Sequence, residues 1–329
     1  MNDAGILLLN ASDVMRAAPS LETMIGIVEE TYRMEARGEV DIPPKVGIHP
    51  HGTDNFLHAM PAWVGGANAV GMKWVSFFPG NAGKGTPIAS ATIVLNDIDT
   101  GLPIALIEGM WITNVRTGAC AALAAKHYGP PEPRRLGLVG CGSLAEWSLR
   151  CISEIMPTVT EVFVASARPE SRRSFCESMA RSGPWNLTPV GDVREAVEGM
   201  DIVVSAVPKL AAAHPIKAEW WTPGTLMVPL DVTGAWDDQT YAVADRLACD
   251  HRANLERALA RYRPGILIDE SRLQSMQEVI AGRAPGRLSS SDRTLAFITG
   301  IGSIDVAVAQ EVYRRAVQAG IGTRFSMNL

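Results

Sequence analysis

Leu136-Gly137-Leu138-Val139-Gly140-Cys141-Gly142-Ser143-Leu144-Ala145 begins as an apolar strand and passes through closely spaced glycines into the start of a helix. Each small residue in that stretch has a separate physical job. Gly140 allows a tight turn, Gly142 lets the backbone approach a pyrophosphate, and Ala145 permits close packing of helix on strand. Ser143 and Leu144 open the helix, whose first amides point at an anion. Taken alone such a turn is weak evidence, so its surroundings decide what it means.

Downstream, strand and helix signals alternate. Glu161–Ser166, Asp201–Ala206 and Leu226–Leu230 are apolar runs, and helical stretches follow Ser143 and Pro169. This alternation predicts a parallel, doubly wound α/β sheet of the Rossmann type that binds a dinucleotide. Ala206 and Val207, which close one of these runs, are further candidates to line that ligand, as is Gly300. The second strand ends at Ser166, where an acid that would bind the ribose hydroxyls is usual. Ser166 with Arg168, and Arg172 or Arg173 nearby, suits a 2′-phosphate, so NADP(H) is expected over NAD(H). Those arginines can also be read as a solvated helix start.

Upstream, the chain has a different texture. Ser20 precedes apolar residues at Leu21, Met24, Ile25, Val28 and Tyr32, and Gly38 follows, which predicts a capped amphipathic helix. From Lys45 to Leu106, short apolar runs at Phe56–Met60, Ala69–Val75, Ala89–Leu95 and Pro103–Ile107 are broken by turn formers, as in a mainly β domain. A helix is expected over Thr113–Tyr128, stopped by Gly129-Pro130-Pro131-Glu132-Pro133, and another over Asp305–Gly320. The expected division is a mainly β (α+β) substrate-binding and dimerisation domain from residues 1–117 plus 304–329, with the Rossmann domain from 118–303.

Composition narrows the function classes. The 329 residues are 47% hydrophobic and 20% charged with a formal net charge of −5, the make-up of a globular protein with no broad attraction to nucleic acid or anionic membranes. Five cysteines without a CxxC pair argue for free thiols in a reducing compartment. No basic leader and no membrane-length apolar run is read, so a cytoplasmic location is expected. His49-Pro50-His51 lacks the further ligands of a metal site, and no GxSxG supports a nucleophilic hydrolase.

Outside the glycine turn, a few polar residues stand in apolar settings. Lys73 lies between Met72 and Trp74 in an expected strand, where an unpartnered lysine is costly. Arg116 sits on the helix leading into the α/β domain and suits bidentate grip of a carboxylate. Asp231 follows Leu226–Leu230, just past a strand's carboxyl end, where ligands bind in open α/β sheets. It can serve as general acid/base or start a turn with Thr233-Gly234.

Several segments together resemble the ornithine cyclodeaminase/mu-crystallin family from about Ile42 to Gly322. They include Pro44-Lys45-Val46, Phe56-Leu57-His58-Ala59-Met60-Pro61-Ala62, Gly71-Met72-Lys73-Trp74-Val75, Phe78-Pro79-Gly80-Asn81, Ile93-Val94-Leu95-Asn96-Asp97, Arg116-Thr117, the glycine turn, Asp201–Ala206, Asp231, Arg293-Thr294, Gly300 and Asp305-Val306-Ala307. The resemblance implies a homodimer, a substrate pocket at a cleft, and hydride transfer between a nicotinamide and the α-carbon of a small amino or imino acid. It implies Asp231, Lys73 and Arg116 as catalytic groups, with Lys45, His58, Lys73 and Arg116 binding substrate. Lys45 also reads as a plain loop lysine, and His58 either as a titrating group or as a core histidine. Three cations in one pocket call for an anionic substrate as their complement.

Departures from the family pattern are specific. His58 replaces a glutamate of ornithine cyclodeaminase, Ile88 a threonine and Ala235 a lysine, so the ring-closing apparatus is incomplete. An NAD(P)-dependent imine reductase or amino-acid dehydrogenase is therefore favoured. A cyclodeaminase-type lyase that recycles NAD, and a mu-crystallin-like small-ligand binder, are the alternatives.

Overall fold

A computed structural model describes residues 5–50, 55–207 and 215–326. His51 lies outside the described residues. The chain divides into two compact units, Met1–Arg116 with Ile301–Leu329, and Thr117–Gly300. In chain order the strands are β1 Ile6–Leu9, β2 Val40–Asp41, β3 Val46–Ile48, β4 Phe56–Val64, β5 Ala69–Phe77, β6 Ala89–Asn96, β7 Pro103–Glu108, β8 Arg135–Val139, β9 Glu161–Ala165, β10 Asn186–Val190, β11 Ile202–Ser205, β12 Leu226–Pro229, β13 Arg246–Cys249, β14 Leu273–Ser275, β15 Thr294–Phe297 and β16 Thr323–Phe325. The helices are α1 Ala11–Ala17, α2 Leu21–Ala36, α3 Met110–Tyr128, α4 Ser143–Ile155, α5 Pro169–Ala180, α6 Asp238–Val243, α7 Arg252–Tyr262, α8 Met276–Ile280 and α9 Gly302–Ala319.

The first unit is built on a mixed sheet in the order β16-β1-β7-β6-β5-β4-β2, with β3 also paired to β4. Alternation along its strands sorts the side chains onto two faces. Met60, Ala62, Lys73, Ala91, Ile93, Leu95, Ala105 and Ile107 are buried on one face, against which α9 packs with α1 and α2 beside it. Gly302, at the start of α9, is glycine because a β-carbon there would stand 2.6 Å from the Met60 carbonyl oxygen. The helix begins three residues before the expected Asp305 and therefore carries that acid inside its first turn. Likewise α3 begins at Met110 rather than Thr113. On the opposite sheet face Trp63, Trp74 and Leu106 are exposed by 40%, 37% and 41%, and Met72 and Val94 between them are only half-buried.

The second unit is a sheet in the order β10-β9-β8-β11-β12-β15-β13-β14, every pairing parallel. Its central strands read as continuous apolar runs because both faces are covered. Leu136, Leu138, Ile202, Val204, Leu226 and Val228 are all essentially inaccessible. Strand order reverses between β8 and β11, which makes their carboxyl ends the topological switch point where such sheets bind ligands. The fold is thus a doubly wound Rossmann sheet accompanied by an α+β unit. Among the described residues no helix is long and apolar enough to cross a membrane.

Candidate active site

The glycine turn lies at the switch point of the second unit. The Gly140 amide donates to the Ala165 carbonyl at 2.9 Å, and the Ala206 amide donates to the Val139 carbonyl at 2.8 Å. Gly140 has φ of +109°, and a β-carbon on it would stand 2.5 Å from the Ala206 oxygen, so both backbone shape and space require glycine. Gly142 differs, for a β-carbon on it would meet no protein atom within 4 Å. That open space lies over the N-terminus of α4, where no side chain caps the helix. Ser143 is exposed and Leu144 half-buried, while Ala145 is buried where α4 meets the sheet. The residues present thus fit a dinucleotide: uncapped helix amides for the pyrophosphate and a bare glycine where it would approach.

At the end of β9 the Ser166 hydroxyl donates to the Arg168 carbonyl at 2.9 Å, and Arg172 donates to the Ser166 carbonyl at 3.0 Å. Arg168 is exposed as the N-cap residue of α5. Arg173, on the same helix, is exposed as well.

Asp231 is buried two residues beyond β12. Its carboxylate accepts the Val207 amide at 3.2 Å and the Gly234 amide at 3.3 Å, with Ser205 and the Ala235 amide as further donors. The Ser205 hydroxyl in turn accepts from the Trp236 indole at 2.8 Å. Burial pushes the Asp231 carboxyl above the usual carboxylate range, outweighing the donors that pull it down. Val232 has φ of +64°, a left-handed backbone that a β-branched residue adopts only under constraint. The turn reading is present too, because the Thr233 amide donates to the Asp231 carbonyl at 2.7 Å. One aspartate therefore both shapes this turn and ties it to Val207 at the end of β11.

Gly300 is held by a residue the sequence reading passed over. Asp250, fully buried just past β13, accepts the Thr299 amide at 2.9 Å, the Thr299 hydroxyl at 2.6 Å and the Gly300 amide at 2.8 Å. The strand before it, β13, is four residues long, too short to mark the acid in sequence.

In the first unit, Lys73 on β5 pairs across the sheet with Met60 and Ile93. It is 1% exposed, Arg116 5% and Asp305 0%, so their charges must balance among themselves or with a ligand. The Lys73 ammonium stands 2.6 Å from one Asp305 oxygen, and the Arg116 Nε donates to the other at 2.9 Å. Thr113, a turn before Arg116 on α3, accepts from Lys73 at 3.5 Å. Asp305 of α9 thus neutralises one of the two positive charges, and an anionic substrate is still the complement for the other. In sequence Asp305 marks only an expected helix start and a family-like segment, with no sign of its charge partners.

His58 lies two residues before Met60 and so shares the sheet face of Lys73. Its ring stacks on Phe56 at 4.2 Å between centroids, with His49 edge-on at 6.1 Å. It is half-buried, so it is not a core histidine. Lys45, immediately before β3, is half-buried as well, unlike its exposed neighbour Val46. Ile88 is 40% exposed just before β6, and Ala235 is buried behind Asp231.

The fold and the turn define a two-unit α/β protein whose second unit is of the dinucleotide-binding class. Residues 6–320 match the sequence profile of the ornithine cyclodeaminase/mu-crystallin family, and the chain belongs to that family. It is 31% identical over 321 residues to the nodulation efficiency protein NfeD of Rhizobium meliloti, covering 97% of this chain and 98% of that one. Among solved structures it is similar to the Thermococcus litoralis Δ1-pyrroline-2-carboxylate reductase in complex with NADH and L-proline, at 27% identity, TM-score 0.87 and coverage of 97% and 100%. It is also similar to an archaeal alanine dehydrogenase dimer with bound NAD, at 28% identity, TM-score 0.86 and coverage of 98% and 99%.

Proposed function

We propose that the chain is a nicotinamide-dependent oxidoreductase that interconverts a small α-imino acid and the corresponding α-amino acid. The observation that carries this reading is the buried, protonation-prone Asp231 tied to Val207 at the same strand ends as the bare Gly142 turn. Similarity to proteins named for NADH with L-proline and for alanine dehydrogenation supports the substrate class.

Gly140, Gly142, Ser143, Leu144, Ala145, Ala206, Val207 and Gly300 would hold the dinucleotide, which supplies the hydride when bound. Ser166, Arg168 and Arg172 favour NADP(H): no acid repels a 2′-phosphate there, and Arg172 is already anchored at the strand end. In the first unit Arg116 and Lys73 grip the substrate carboxylate, with His58 on the sheet face of Lys73 and Lys45, just before β3, as further contacts. Asp231 delivers a proton to the substrate nitrogen in one direction and removes it in the other. The exposed apolar sheet face of Trp63, Trp74 and Leu106 supports a homodimer formed through it, as does similarity to a protein described as a dimer.

The test is a screen of α-keto acids with ammonia or methylamine, and of cyclic imines bearing a carboxylate, followed by NADPH and NADH absorbance. Net cofactor oxidation with one of them supports the reading. Ammonia release from an amino acid without net cofactor change would instead establish a lyase. Binding of cofactor with no turnover of either kind would leave a small-ligand binder.

A further inference from the structure

Lys73 and Arg116 come from different elements, β5 and α3, and both carry long, rotatable side chains. Two cations that converge while buried repel each other and lose rotamer freedom, so neither holds a fixed position unaided. Asp305 answers both problems, because one carboxylate takes the lysine ammonium on one oxygen and the arginine Nε on the other. The acid is itself immobilised: α9 is buried on every side from Gly302 to Ala309, and Gly302 closes that helix start onto the Met60 carbonyl of β4. Its place in the first turn also sets the carboxylate in the favourable field of the helix N-terminus.

We propose that Asp305 is a positioning residue: it acts through Lys73 and Arg116, fixing their spacing and direction so that they receive a substrate carboxylate together. This rests on the reading that Lys73 and Arg116 bind the substrate's acid group. It adds that their competence depends on an acid near the far end of the chain, at the start of α9.

The experiment uses Asp305→Ala, which removes the carboxylate and leaves room for a small anion. Melting is followed with and without sodium formate, against sodium chloride at equal strength. The expected result is a melting temperature about 5 °C or more below the parent, with formate raising the variant's melting temperature more than the parent's. In parallel, the KM for the amino or imino acid rises about 10-fold or more while that for the nicotinamide holds. Formate and Asp305→Glu each restore part of the substrate KM. A variant that melts with the parent, or is indifferent to formate, or loses both KM values together, overturns the proposal.

If Asp305→Ala does not fold, the double-mutant cycle of Lys73→Met and Asp305→Asn decides. The double variant should melt above Asp305→Asn alone, because the lysine is no longer left without its acid. Additive losses overturn the proposal. Should the parent turn over no imino or amino acid, the function reading fails, while the formate and melting arms still judge the bridge.

Discussion

Asp231 sits within the accepting distance of backbone amides from Val207 and Gly234, yet burial still raises its affinity for a proton. A carboxyl raised above the ordinary carboxylate range holds its proton to higher pH than a free carboxyl does, which is the direction a general acid requires. In imine reduction the protonated form is needed, so kcat/KM falls as pH rises through the Asp231 pKa; in amino-acid oxidation the unprotonated form is needed, so it rises. Asp231→Asn should reduce turnover by about 10²-fold or more and abolish that limb of the profile. An unchanged profile in the variant removes the aspartate from the chemistry. Ser166 makes a second residue-scale prediction. NADPH should bind more tightly than NADH, and Ser166→Asp should reverse the order by placing a carboxylate against the 2′-phosphate; equal dissociation constants in the parent would contradict it. The two acids also show what a sequence reveals. Asp231 was legible because an acid following an apolar strand has a known place in an open sheet. Asp305 was not, since periodicity describes which helix face is buried and is silent on a carboxylate placed within it.

At the scale of elements, the β8–turn–α4 unit was legible because its apolar run, glycines and helix start follow one another without interruption. Strands β4 to β7 were found as well, each extended by one to four residues beyond its apolar run because backbone pairing continues past it. Shorter pieces escaped. β10 carries Pro189, which a central strand could not accommodate but an edge strand can. β13, β14 and β16 span three or four residues, too few to show a period, and only pairing defines them. The glycine turn allows a separation of folding from binding. Gly142→Ala, in ordinary extended backbone with space around it, should leave the melting temperature unchanged and weaken dinucleotide affinity about 10-fold. Gly140→Ala, at positive φ and against the Ala206 carbonyl, should cost about 2 kcal/mol or more of stability. Differential scanning calorimetry with cofactor titration separates the two, and equal behaviour would show that the space over Gly142 is not where the ligand approaches.

For the whole molecule, each unit brings a different set of groups: the parallel sheet a glycine turn and a buried carboxyl, the mixed sheet a cluster of buried charges. The mixed sheet also leaves one face apolar and open, which a lone chain has little reason to keep. Trp74→Glu should convert a dimer to a monomer in sedimentation analysis, with the fold of each chain retained by circular dichroism. A parent that sediments as a monomer would contradict the assembly. The association of the chemistry with a nicotinamide is tested most directly by isotope transfer. Reduced cofactor carrying deuterium at both nicotinamide C4 positions, incubated with the chain and an α-imino acid, should give an amino acid with deuterium at its α-carbon, and Asp231→Asn should lower the rate of that transfer without changing its destination. Product formed with no deuterium at the α-carbon would contradict hydride transfer as the reaction of this protein.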